Sequence, residues 1–173
     1  KRAEERQPST INHQPSTINL PLMSQSSLEV PAAVTFEQAI ALTESLLSQI
    51  EAGSLSEADI ATAISALVKT ENGARGFFVT YLTSASSAAD FPSAAVVEAL
   101  RSSPEIVSEL LVKNIAMSTA QAIFHRRQQK EDMAKGSEQV SRRTTKLIQL
   151  VDLPQVRDRA QQLMHSAKTG EGD

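Results

Sequence analysis

Two short basic clusters have the residue types and spacing best suited to binding an anion. In each, two adjacent arginines are followed by a lysine in the pattern R-R-x-x-K, and the clusters begin sixteen residues apart. Their members are Arg126, Arg127, Lys130, Arg142, Arg143 and Lys146. Guanidinium and ammonium groups bind phosphate through charge-assisted hydrogen bonds. The clusters therefore support nucleic-acid binding as an alternative function, which requires an affinity that falls steeply with salt.

The geometry of the helix between the clusters decides whether they can act together. At about 100° per residue, a spacing of sixteen residues rotates a straight helix by roughly 160°, so the clusters would face nearly opposite directions. A break at Gly136, a residue that costs roughly 1 kcal/mol relative to alanine in a helix interior, would bring them together. No aromatic residue lies between the clusters, whereas Glu131, Asp132 and Glu138 do. We therefore interpret this segment first as a solvated helix face.

Candidates for catalysis are few. The chain has no cysteine, which excludes thiol nucleophiles, disulfides and cysteine-ligated metals. It also has no glycine-rich phosphate loop, nucleophile elbow or zinc-protease motif. His125 and His165 are each alone in their segments, and capping or packing is the simpler role for His125. We expect no catalytic residue, no metal and no cofactor, and a small-molecule site around Tyr81, His125 and the acidic helices is a third hypothesis.

An apolar stripe is the best candidate for a partner-binding surface. Met133, Val140 and Leu147 recur every seven residues in an otherwise polar segment. Such a thin stripe suits a helix that packs on one side only, and it could dock a partner helix. We therefore expect a non-enzymatic interaction or regulatory protein that binds a protein partner or self-associates. Segments rich in alanine, serine and threonine fit tight internal packing and the seam of a homodimer equally well.

Charge is distributed unevenly along the chain, although the formal net charge is only −3. Residues 35–110 carry ten acidic and three basic side chains, whereas residues 126–146 carry seven basic and three acidic ones. An acidic half joined to a basic segment usually concerns partners rather than fold. The longest apolar runs fall far short of the about 20 residues that span a bilayer, and no signal-peptide pattern is present. We therefore expect a cytoplasmic protein without membrane insertion.

The N-terminal segment contains a tandem repeat. The unit Gln-Pro-Ser-Thr-Ile-Asn occurs at residues 7–12 and again at 14–19. Each unit has one large apolar residue and one proline, so it forms neither a coiled-coil seam nor a solenoid layer. We predict a disordered tail over residues 1–34, non-native upstream of Met23. A single helical domain over residues 35–168 and a flexible end at 169–173 would follow.

Capping residues and apolar periodicity define the helices of that domain. Thr35 with Gln38, and Ser56 with Asp59, form capping boxes at the starts of two helices. Gly53 is predicted to end the first of these helices and Asn72-Gly73 the second. Residues 76–82 favour a strand by composition, but without a partner strand they are expected to form a buried helix.

Further helices are predicted from Pro92, from Pro104 and from Pro154. The pattern that begins at Pro104 is long and predicts a central core helix, whose second half projects the basic face. The fold class predicted is therefore all-α, a compact bundle of five or six helices with one long central helix.

Three segments carry a resemblance to a known family. They are Thr70–Leu82, Ser103–Val107 and Ala116–Ala120. They resemble a small uncharacterised all-helical protein family of cyanobacteria, over roughly residues 36–170. The repeated N-terminal unit is similar to translated tandem DNA repeats between the genes of those organisms. The resemblance implies a helical fold and no particular activity, so no functional residue is carried over from it.

Overall fold

The computed structural model describes residues 28–170, and within them it contains seven α-helices and one short 3₁₀ turn. The all-α prediction is confirmed, with one or two helices more than expected. The helices are α1 (Phe36–Glu51), α2 (Glu57–Val68), α3 (Glu71–Thr83), α4 (Ala94–Arg101), α5 (Pro104–Arg127), α6 (Glu131–Val151) and α7 (Pro154–Thr169), and the 3₁₀ turn is Ser87–Ala89.

Both predicted capping boxes are present. The Gln38 backbone N–H donates to the Thr35 hydroxyl at 3.2 Å, and the Thr35 N–H donates to the Gln38 side chain at 3.0 Å. Ser56 and Asp59 make the same reciprocal pair at the start of α2. Gly53 follows α1 with a φ of 64°, a left-handed conformation that glycine adopts without steric cost. These local signals fix where α1 and α2 begin and how α1 ends.

The prediction that Asn72-Gly73 ends α2 is wrong. α2 ends at Val68, and Thr70 caps a new helix by accepting a hydrogen bond from the Gly73 N–H at 3.1 Å. Asn72 and Gly73 therefore lie in the first turn of α3, which contains the predicted buried helix of residues 76–82. The Thr70 hydroxyl starts a new helix here because it accepts a hydrogen bond from an amide that would otherwise be unpaired in the first turn. The Asn-Gly pair therefore does not act as a helix end.

The hydrophobic core lies between α1, α2, α3, α4 and the inner halves of α5 and α6. Its largest side chains come from α3, where the rings of Phe77 and Tyr81 stack at 5.1 Å and those of Phe77 and Phe78 meet edge to face at 5.4 Å. At Gly76 an added Cβ would lie 2.5 Å from the Ala39 Cβ and 2.8 Å from the Phe36 carbonyl oxygen. Glycine at this position allows α1 and α3 to pack closely.

The long central helix is shorter than predicted. α5 ends at Arg127, and the chain reverses through residues 128–130 into α6, which packs antiparallel against α5. Gln129 has a φ of 59° in this turn, a conformation that glycine or asparagine usually supplies. The turn therefore lacks the sequence signal that normally marks it. The basic segment consequently forms a helical hairpin and not the second half of one helix.

The sequence leaves open whether the helix continues through Gly136, and the structure shows that it does. α6 runs without interruption from Glu131 to Val151, and a Cβ added at Gly136 would meet no atom within 4 Å. Leu147 and Val151 of this helix are core residues. α7 packs along α5 and has no buried residue. Of the predicted tail, residues 1–27 lie outside the described residues, while Val34 is buried against the core at 3% exposure.

Candidate functional site

The outer part of the α5–α6 hairpin, here called the arm, comprises residues 113–140. Only Ser118, Ala122 and Ala134 are buried within it. These side chains are small, so the two helices of the arm approach closely but bury little apolar surface. The arm therefore extends from the core and exposes most of its side chains.

A groove of about 850 Å³ separates the arm from α3. Its most buried lining residues are Phe78 and Leu82, which are both 1% exposed. One wall belongs to α1 and α3, and it includes Phe36, Glu71, Arg75, Val79 and Thr83. The other belongs to α5 and α6, and it includes Lys113, Asn114, Met117, Gln121, His125, Met133, Gly136, Ser137 and Val140.

The rim of the groove is apolar and open to solvent. Val79 on α3 is 43% exposed, Met117 on α5 61% and Met133 on α6 54%. Phe124 and Ile123 near the tip of the arm are 55% and 48% exposed. Single exposed apolar residues are ordinary, but a contiguous group on facing walls is typical of an interaction site. Methionine side chains are flexible and adapt to the shape of a bound surface.

The predicted stripe Met133, Val140 and Leu147 runs from this groove into the core. Leu147 is fully buried, Val140 is half-buried and lines the groove, and Met133 is exposed on its rim. Residues spaced by seven therefore share one face of α6, but one end of that face lines the groove and the other end lies in the core. Met133 and Val140 are accessible to a partner, whereas Leu147 belongs to the internal packing.

The charged groups around the groove are largely engaged within the chain. The Arg75 guanidinium lies 5.6 Å from the centre of the Phe36 ring. Lys113 forms an ion pair with Glu109 at 2.6 Å. This lysine lowers the pKa of the Glu109 carboxyl, chiefly through a hydrogen bond. The groove is thus lined by apolar side chains and amides, with its charges at the edge.

His125 lies on the arm wall of the groove beside the Phe124 ring, 5.6 Å away between centroids. Its Nδ1 atom is buried and has no hydrogen-bond partner among the described residues. Tyr81 is elsewhere: its side chain is 1% exposed and its hydroxyl donates to the Ala88 carbonyl at 2.9 Å. Burial raises the pKa of the Tyr81 phenol. The structure therefore does not bring Tyr81 and His125 into one pocket.

The first basic cluster lies at the tip of the arm. Arg126 contacts the Glu138 carboxylate at 2.6 Å and that of Glu131 at 3.5 Å. Hydrogen bonds to these carboxylates raise the pKa of the Arg126 guanidinium. Arg127 and Lys130 are exposed. Two carboxylates therefore already satisfy one of the three cations in this cluster.

The second basic cluster is organised around Arg143, which is 4% exposed. The side chain has five N–H donors, and all five are used within the chain. Two reach the Asp90 carboxylate, each at 2.8 Å, and the others reach the carbonyl oxygens of Leu82, Ser84 and Ser86 at 3.0, 2.7 and 3.2 Å. Arg143 has no donor left for a phosphate. It anchors α6 to the segment between α3 and α4.

The neighbours of Arg143 differ from it in exposure. Lys146 donates to the Asp90 carbonyl oxygen and lies 4.7 Å from the centre of the Phe91 ring, whereas Arg142 is exposed. The Arg143 guanidinium holds the pKa of Asp90 below its ordinary value. α6 is unbroken, and the Glu138 carboxylate that Arg126 binds lies one helical turn before Arg142. Neither the Arg143–Asp90 pair nor the groove is visible in the sequence, because both depend on packing between distant segments.

The chain matches the model of an uncharacterised protein family over most of its length. A family model described as "Uncharacterised conserved protein UCP020893" matches residues 35–173. No curated protein and no solved structure matches the chain. In the part of the chain that the structure describes, no helix has the length and apolarity to cross a membrane. The same residues contain no group of three or more histidines or carboxylates placed to hold a metal ion.

Proposed function

Because the chain belongs to the family of uncharacterised conserved proteins UCP020893, whose description names no activity, we propose a function from the groove: this is a non-enzymatic interaction protein that binds an amphipathic helix. The observation that carries the proposal is the open groove of about 850 Å³ with exposed Val79, Met117 and Met133 on facing walls.

The shape and chemistry of the groove favour a helix over a small molecule. Pockets of about 300–1,000 Å³ that bind small ligands enclose most of the ligand surface, but here the walls themselves are about half exposed, as the 43% to 61% values at Val79 and Met117 indicate. An amphipathic helix inserts an apolar face and leaves its polar face in water. The amides and hydroxyls of Gln121, Asn114 and Ser137 are placed to contact the borders of such a face.

The location of the protein belongs to the same proposal. A chain without cysteine makes no use of an oxidising compartment, which supports a cytoplasmic protein. The tandem repeat of residues 7–12 and 14–19 supports a cyanobacterial source.

A selection of displayed helical peptides tests the proposal directly. We expect the immobilised full chain to enrich peptides with apolar residues at spacings of three, four and seven, because these residues share one helix face. Met117→Lys should abolish the binding of the enriched peptides, since it places a charge on the rim of the groove.

The matched control is Met164→Lys on α7. Met164 is 58% exposed and Met117 61%, so the two substitutions change equally accessible methionines. Peptide binding should survive in the Met164 variant. The proposal is wrong if no helical peptide is enriched, or if the enriched peptides bind the Met117 and Met164 variants equally well.

A further inference from the structure

The arm exposes apolar side chains on more than one side. Met117 and Phe124 of α5 and Met133 of α6 lie on or beside the groove, whereas Ile123 is about 120° around α5 from Met117. All four are 48% to 61% exposed. A helix that packs on a single surface needs one apolar face. Apolar residues on two sides suit an arm that lies between two surfaces.

The groove side of the arm combines large and small residues. On α5 this side carries Met117, and on α6 it carries Gly136 and Ser137 between Met133 and Val140. A Cβ added at Gly136 would meet nothing within 4 Å, so another helix can approach the α6 backbone closely here. Two such arms related by a two-fold axis would set the large residues of each against the small residues of the other.

The tip of the arm and the α1–α3 wall also carry charges of opposite sign. The exposed cations Arg127, Lys130 and Lys135 lie at or near the tip of the arm, and in the described part of the chain none forms an ion pair. On the far side of Val79 and Thr83, the α1–α3 wall continues into a depression of about 510 Å³ that contains Glu44 and Glu51. These two carboxylates also have no ion-pair partner between residues 28 and 170.

A separate partner is not required to match these charges, because the same chain carries both signs. Residues 35–110 hold ten acidic against three basic side chains. The basic tip of the arm extends away from residues 35–110, here called the body, and Arg126 is already satisfied by Glu131 and Glu138. The acidic wall that can receive the tip is therefore that of a second copy.

We infer that two copies of this protein clasp each other, each inserting its arm into the groove of the other. The inference rests on the proposed function, since it names the helical segment that fills the groove. Four layers would follow one another across the interface: α3 of one copy, the arm of the second copy, the arm of the first copy, and α3 of the second copy. The groove sides of the two arms meet at the two-fold axis, and Ile123 faces the α3 wall of the partner. The arrangement is closed and stops at a dimer.

Disulfide trapping tests the arrangement, because the natural chain has no cysteine and each introduced thiol is unique. A Val79→Cys copy mixed with an Ile123→Cys copy should form a mixed disulfide dimer under mild oxidation. The control replaces the first copy with Leu163→Cys, on α7, where exposure is 40% against 43% at Val79. Equal yields of mixed dimer in the two mixtures would overturn the inference.

Sedimentation velocity on the full chain gives a second readout. We expect a dimer whose dissociation constant rises with salt, because screening weakens the contacts between the tip and the acidic wall. Met117→Lys should raise it by about tenfold or more, the scale of a central interface residue, while Met164→Lys should leave it unchanged. A wild-type chain that is monomeric at every concentration tested would refute the proposed dimer. The proposed function would still stand in that case if helical peptides bind the groove.

Discussion

At the scale of single residues, Arg142 and Arg143 show how little a sequence cluster determines about the role of its members. Arg142 and Arg143 are adjacent and identical, yet one is exposed and the other is 4% exposed with every donor bound. The 100° step between neighbours on a helix places one toward solvent and the other toward the Ser84–Asp90 segment. Burial and hydrogen-bond partners distinguish an anion-binding residue from a structural anchor.

The adjacent arginines provide a matched pair of substitutions. Arg143→Met removes five donors while keeping an unbranched apolar stem, and it leaves three carbonyl oxygens and the Asp90 carboxylate without this partner. We expect the free energy of unfolding to fall by about 3 kcal/mol. Arg142→Met should change it by less than about 0.5 kcal/mol, as is usual at an exposed position. Urea unfolding of both variants measures the difference, and equal effects would contradict the anchoring role.

Acid titration isolates the contribution of Asp90. Its folded-state pKa is lowered by Arg143, so the ionised carboxylate stabilises the fold above the ordinary pKa near 4. This stabilisation is lost as the pH falls through the lowered value. Asp90→Asn should be less stable than the wild type at pH 7, and the gap in unfolding free energy should narrow as the pH falls below the ordinary carboxyl pKa of about 4. A gap that stays constant with pH would exclude the ion pair as its cause.

At the scale of helices, two glycines in helix interiors have opposite packing. Gly76 lies where α1 and α3 touch, with a backbone carbonyl 2.8 Å from its notional Cβ, whereas Gly136 faces the open groove with nothing within 4 Å. The sequence presents both only as poor helix formers. The tertiary neighbours decide which glycine is required.

Alanine at each glycine should therefore change stability in opposite directions. Gly76→Ala must move α1 away from α3, which should cost about 2 kcal/mol. Gly136→Ala should raise the free energy of unfolding by up to about 1 kcal/mol, because it improves helix propensity without a clash. Thermal or urea unfolding measures both. A destabilised Gly136→Ala monomer would show that α6 needs glycine here for its own fold.

Helix boundaries that depend on contacts within one turn can be predicted from the sequence, whereas features that depend on distant contacts cannot. The starts of α1 and α2 are predicted well because Thr35 with Gln38 and Ser56 with Asp59 act within one turn of helix. The end of α5 is missed because Gln129 adopts a left-handed conformation without glycine. The groove cannot be predicted at all, because it depends on that turn and on the packing of α3 against α5 and α6.

At the scale of the whole molecule, stability is distributed unevenly between the body and the arm. The body buries Phe77, Phe78, Tyr81 and the leucines around them, whereas residues 113–140 bury only Ser118, Ala122 and Ala134. Most of the stability of a helix in a protein comes from the packing of its apolar face, so helices with few buried apolar contacts are weakly held. An arm of this kind needs a second surface to hold it, which agrees with its proposed position in the groove of another copy.

Hydrogen exchange should reveal this difference. In dilute protein, where the proposed dimer dissociates, amides of residues 116–139 should exchange by local opening much faster than those of α3. At high concentration the arm should become protected while α3 changes little. Peptide-resolved mass spectrometry measures both. Arm protection that is equal to that of α3 in dilute protein would contradict the division into a stable body and a marginal arm.

The Arg143 anchor has a consequence for the protein while it is being made. Its partner Asp90 precedes it by 53 residues, so the segment from Leu82 to Asp90 leaves the ribosome without the side chain that satisfies its carbonyl oxygens. At about 5–20 residues per second, the delay lasts roughly 3 to 10 seconds. In that interval the first four helices are an incomplete body, open to chaperones and proteases. A chain in which Arg143 is replaced completes the fold with a lower free energy of unfolding, and we expect its first cellular defect to be low abundance rather than weak binding.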